Sequence, residues 1–128
     1  MSDLFIAASS DTPEIDFQFS NKTLTISGEA YPENGVEFFR PILKNLQSHL
    51  NSMSGEQLEF NFKLTYFNSV STKILYSMFE LLNEYAKNNP NCVLLNWFHD
   101  EEDDMILSFG LDIQEDFTWI DFSAIAIS

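Results

Sequence analysis

The chain is poor in positive charge. Six lysines and arginines stand against 20 aspartates and glutamates in 128 residues, a formal net charge of −14 and a pI near 4.1. So acidic a surface repels phosphate backbones and anionic membranes, which argues against nucleic-acid binding and membrane attachment. A basic patch on a protein partner is compatible with it, and the field speeds that encounter. One cysteine, Cys92, excludes an intrachain disulfide and suits a reducing, cytoplasmic compartment. No apolar run approaches the roughly 18–20 residues that cross a bilayer. Met1-Ser2-Asp3-Leu4 has no positively charged n-region, so no signal peptide is expected. Without export, the sequon Asn21-Lys22-Thr23 has no glycosylation to receive. The four glycines, at 28, 35, 55 and 110, are scattered, so there is no glycine-rich phosphate loop.

Apolar residues are not scarce. They make up 45% of the chain, with 13 phenylalanines, enough to fill the core of one domain over residues 1–128. Ile15-Asp16-Phe17-Gln18-Phe19 and Leu24-Thr25-Ile26-Ser27 alternate apolar and polar around a turn-like Ser20-Asn21-Lys22, which predicts a hairpin. Phe39, Ile42, Leu43, Leu46 and Leu50 recur at helical spacing behind Tyr31-Pro32-Glu33-Asn34-Gly35. Pro41 lies either in the first turn of a late-starting helix or inside one that begins near Asn34. From Leu58 to Tyr66 every second residue is apolar, so this strand buries one face only.

Val70, Ile74, Met78, Leu81, Leu82 and Tyr85 form the apolar stripe of a second helix, stopped by Asn88-Asn89-Pro90-Asn91. Cys92 to Phe98 reads as an interior strand. The acids from Asp100 to Asp104 open a short third helix that Gly110 is expected to close, and Phe117 to Ile127 supplies a last strand. The order is β-β-α-β-α-β-α-β. The expected fold is α/β, a two-layer sandwich with a mixed sheet and helices on one face.

The junction Asn68-Ser69-Val70-Ser71-Thr72-Lys73 joins the clearest strand to the second helix. Hydroxyl residues there serve as N-caps or accept a regulatory phosphate. The positive end of the helix dipole tolerates such an anion, and Lys73 lies one turn beyond Ser69. Ser69 as a hydrolase nucleophile lacks the Gly-x-Ser-x-Gly elbow, and neither His49 nor His99 stands in a triad context. His99 and the acids after it fit neither calcium-loop nor zinc spacing, so no metal or cofactor is expected. The run is a solvated helix start or a docking edge for a partner. Trp97 packs in the core or, beside Tyr31 and Phe67, anchors an interface.

Several blocks, in order, resemble the SiaC family of bacterial regulatory phosphoproteins: Thr12-Pro13-Glu14-Ile15, Gly28-Glu29-Ala30-Tyr31-Pro32-Glu33-Asn34, Phe39 to Leu43, Tyr66 through Lys73, and Trp97 through Met105 with Gly110 following. Tyr-Pro-Glu-Asn and Tyr-Phe-Asn-Ser are the most specific of them. The resemblance implies a fold similar to the STAS domains of anti-sigma factor antagonists. It implies a non-enzymatic adaptor whose unmodified form binds and activates a diguanylate cyclase, raising cyclic di-GMP. A Ser/Thr protein kinase and a metal-dependent Ser/Thr phosphatase would switch it. The phosphoacceptor after Asn is Ser69, where the family more often has Thr. Val70 replaces a frequent hydroxyl residue, and Ser71 and Thr72 are nearby alternatives. The expected docking surface comprises Tyr31, Glu33, Asn34, Phe67, Asn68 and Lys73, with Trp97. An anti-sigma antagonist of a partner-switching system is the neighbouring alternative, and a small serine hydrolase the remote one.

Overall fold

The computed structural model describes residues 3–128. Its strands are β1 (Leu4–Ile6), β2 (Glu14–Gln18), β3 (Thr23–Ala30), β4 (Leu58–Phe67), β5 (Val93–Asp100) and β6 (Asp121–Ile127). Its helices are α1 (Gly35–Ser52), α2 (Ser69–Asn88) and α3 (Asp104–Asp116). The six strands form one sheet in sequence order. β1, β2 and β3 pair antiparallel, and β3, β4, β5 and β6 pair parallel. Each parallel step needs a crossover, which α1, α2 and α3 supply in turn. The strand order advances in one direction, so crossovers of one hand place all three helices on the same face.

Burial follows from that arrangement. Leu58, Phe60, Phe62 and Leu64 of β4 are buried under the helices, while Lys63 and Thr65 on the other face are exposed. β5 alternates in the same way: Val93, Leu95 and Trp97 are buried, whereas Leu94 is exposed and Phe98 half-buried under the Lys63 ammonium. The strand is interior in the sheet order, but its apolar run does not mean cover on both faces. Among the described residues, no helix is long and apolar enough to cross a membrane.

Three local features depart from the sequence reading, and the course of α1 settles an alternative it left open. β1 is an additional strand; three residues are too few to show a period. α1 starts at Gly35 with Pro41 inside it, where the missing N–H removes one bond of the helical ladder. The buried stripe of α2 is Ser71, Leu75, Met78, Phe79, Leu82, Tyr85 and Ala86. The adjacent pairs Ile74-Leu75 and Leu81-Leu82 permit two stripes, and the one containing Val70, Ile74 and Leu81 faces outward or sideways. Gly110 lies in the middle of α3 rather than at its end. A Cβ there would sit 2.4 Å from the Trp97 Nε1, so the glycine makes room for the indole.

Candidate functional site

The parallel pair β3–β4 ends where two helices begin. A bulge at Gly28, with φ +103°, shifts the register so that Glu29 pairs with Tyr66 and Ala30 with Phe67. The Asn68 amide then donates to Ala30 O at 3.0 Å, which fixes the start of α2 beside the segment leading into α1. The helices meet closely there: a Cβ on Gly35 would lie 3.1 Å from Val70 Cγ1 and 3.4 Å from Ile74 Cδ1. Tyr-Pro-Glu-Asn and Tyr-Phe-Asn-Ser, remote in sequence, are brought to one end of the sheet.

Asn68 is the N-cap of α2. Its backbone is extended, and its Oδ1 accepts the Ser71 amide at 2.9 Å. This fixes the three hydroxyls differently. Ser69, at the first helical position, is exposed. Ser71 is 0% exposed, and its Oγ has no hydrogen-bond partner among the described residues. Thr72 is half-buried, and its Oγ1 donates back to Asn68 O at 3.0 Å. Of the three hydroxyls, Ser69 is the one exposed to solvent and Ser71 the one that is buried. The helix N-terminus turns unpaired N–H groups and a positive partial charge toward Ser69. Lys73 is exposed one turn on.

Tyr31 is exposed. Its hydroxyl donates to Ser10 O at 2.7 Å, and its ring meets Tyr66 edge to face at 5.8 Å. Glu33 is exposed too. Asn34 caps α1: its Oδ1 accepts the Glu37 amide and its Nδ2 donates to Glu37 Oε2, both at 3.1 Å. Phe67 is half-buried, edge-on to Phe62 and Phe109. Trp97 is no surface anchor. It is 0% exposed, stacked on Phe62 at 4.1 Å and on Phe109 at 5.8 Å, and its Nε1 donates to Ile106 O at 2.9 Å. The site thus rests on an aromatic pile of Phe67, Phe109, Trp97 and Phe62.

Two neighbours were not legible as surface residues. Tyr66 is 50% exposed although it continues the buried alternation of β4, because the sheet end outruns its helical cover. Val70 is 46% exposed because the α2 stripe is rotated.

The acidic run is mostly turn and cap. Asp100 Oδ1 accepts the Glu102 amide at 2.8 Å, and Asp103 Oδ1 accepts the Ile106 amide at 3.0 Å as N-cap of α3. No group of three metal-ligating side chains is assembled among the described residues. His49 is buried against Phe19 with ring centroids 4.5 Å apart, and burial pushes its pKa down. The His99 Nδ1 lies 3.1 Å from Asp100 O. Neither imidazole is hydrogen-bonded to Ser69.

Fold and site together define a small α/β protein with an exposed serine at a helix start, at the same end of the sheet as exposed Tyr31, Tyr66 and Val70. Residues 6–127 match the SiaC family of regulatory phosphoproteins, and the chain belongs to that family. It is 30% identical over 117 residues, 91% of this chain and 90% of the relative, to an uncharacterised protein of Pseudomonas aeruginosa strain UCBPP-PA14. The crystal structure of apo-SiaC from Pseudomonas aeruginosa superposes with a TM-score of 0.87 at 27% identity, covering 98% of this chain and 100% of that one. SiaC in the crystal structure of the diguanylate cyclase SiaD with its activator, from the same species, gives 0.88 at 26% identity, again over 98% of this chain and 100% of that one.

Proposed function

We propose that this chain is a cytoplasmic, non-enzymatic phosphoswitch adaptor. Unphosphorylated, it docks on a diguanylate cyclase and activates it, as its structural relative is an activator of SiaD. A Ser/Thr protein kinase phosphorylates Ser69 and blocks docking; a metal-dependent Ser/Thr phosphatase restores it. Tyr31, Glu33, Phe67, Lys73 and the newly recognised Tyr66 and Val70 form the docking surface, while Asn34 and Asn68 hold the two helix starts that present it.

The observation that carries this reading is the difference among the three hydroxyls, which leaves Ser69 exposed in a member of a phosphoprotein family. A phosphate adds about −1.5 to −2 charges without disturbing the helix. Burying it unpaired in an interface costs several kcal/mol, and about 3 kcal/mol already weakens binding more than 100-fold.

The reading is tested by incubating the protein with its cognate kinase and ATP and fragmenting the product for mass analysis. One phosphate on Ser69 is expected, and none on the Ser69→Ala variant. Modification at Thr72 or Ser71 with Ser69 untouched would overturn the assignment.

A further inference from the structure

A groove open to solvent runs between α1 and α2 from the Ser69 end of the molecule. Its first part, about 400 Å³, is lined by Val36, Arg40, Leu43, Lys44, Gln47 and Ile74. The second, about 620 Å³, shares Leu43 and Gln47 and continues past Glu80, Glu84 and Asp116. The floor is apolar, with Val36 exposed and Leu43 and Ile74 half-buried. The two ends differ in sign. Arg40 and Lys44 flank the first part, and Lys73 stands beside Ile74, one turn from Ser69. These are three of the six cations in the chain. None is in an ion pair among the described residues, where Lys22–Glu56 is the one such pair. These three cations stand no further along than the middle of α1 and α2, toward the Ser69 end, along with exposed Glu33 and Glu37, on a molecule of net charge −14.

We infer that this groove receives a partner segment carrying an apolar stripe with acidic side chains at the end nearest Ser69. The inference rests on the reading under Proposed function and adds the chemistry of the docking element. Charge complementarity selects that segment, because exposed cations beside an apolar floor are covered without loss only by a partner that supplies carboxylates. The sign of the switch leads to the same partner. A phosphate on Ser69 is an anion one turn from Lys73. A basic segment would bind the phosphorylated form more tightly. An acidic one is repelled by the phosphate and loses a cation that the phosphate neutralises. At the far end, Glu80, Glu84 and Asp116 fix the orientation by rejecting acids there.

The test compares two double variants with the same change in net charge, using the diguanylate cyclase encoded in the same genome and its affinity measured by titration. Arg40→Glu/Lys44→Glu reverses the groove; Lys63→Glu/Lys87→Glu reverses cations elsewhere. The first is expected to weaken binding by about tenfold or more and the second by less than about twofold. Thermal melts establish that both fold, and Arg40→Gln/Lys44→Gln serves in place of the first if it does not, with weakening in the same direction. Equal weakening by both pairs would overturn the inference, leaving only net charge. So would unchanged affinity of the groove variant while Ser69→Asp still loses binding, with the adaptor reading intact. No binding by the wild-type protein would overturn the adaptor reading and the inference together.

Discussion

Adding a methyl group to a helical glycine ordinarily stabilises the helix by about 1 kcal/mol. At Gly110 the opposite is expected. The new carbon would press on three indole atoms of Trp97 between 2.4 and 2.7 Å away, and the indole is hemmed in, fully buried and stacked on Phe62 and Phe109. Gly110→Ala should therefore destabilise the protein by about 1–3 kcal/mol, the range of an overpacked core, read as a lower urea midpoint. A gain in stability would show that the pile beneath the Ser69 site is loose. His49 gives a second expectation for single residues. It is buried, and neither ring nitrogen has a hydrogen-bond partner among the described residues. Burial first, then the Lys22 ammonium, lowers its pKa below 6.5, against an opposing pull from Glu56. Below pH 6.5 the unfolded chain takes up a proton that the folded protein refuses, so stability falls as pH drops from 6.5 toward the folded pKa. His49→Leu should flatten that slope relative to wild type in denaturant titrations across this window. Identical slopes would mean that His49 does not contribute.

At the scale of elements, the start of α2 depends on one side chain. Asn68→Ala removes the acceptor for the Ser71 amide and should cost about 1 kcal/mol, whereas Asn68→Asp keeps the cap and should stay within a few tenths of wild type. Thermal melts separate the two outcomes, and equal losses would mean that the cap acts through something other than its oxygen. Elements of this length were legible in the sequence where one period dominates: β4 from its alternation, α1 from its spaced leucines, the hairpin from its turn residues. Where two readings satisfy the same pattern, packing decides. α2 offers two stripes because apolar residues stand in adjacent pairs. β5 carries apolar residues on both faces, yet only one of its faces is covered. β1 is too short to carry a period, and Gly110 marks contact with an indole rather than a helix end. At the site, the helix start at the serine-rich junction was readable from local chemistry, but its cap is Asn68 rather than one of the hydroxyl residues. The exposure of Ser69 and the burial of Trp97 and Ser71 come from the tertiary arrangement, which no local pattern encodes.

For the whole molecule, the same topology that buries one face of the sheet also brings the candidate site to one end. Parallel strands running in one direction bring the starts of α1 and α2 together, so the Ser69 hydroxyl, exposed Tyr31 and Tyr66, and three of the six cations (Arg40, Lys44 and Lys73) lie toward one end of the molecule. The rest of the surface is acidic, and a partner gains little from it beyond reach of the groove, since fields between exposed charges fade over about 8 Å at physiological salt. Control by a single anion requires that the fold stay fixed while that surface changes sign. The most direct measurement is the affinity of the diguanylate cyclase for the unmodified protein and for protein carrying phosphoserine at position 69, with both forms shown to melt alike. Binding at least about 100-fold weaker for the phosphorylated form, with an unchanged melting profile, is the predicted result; equal affinity of the two forms would contradict the account.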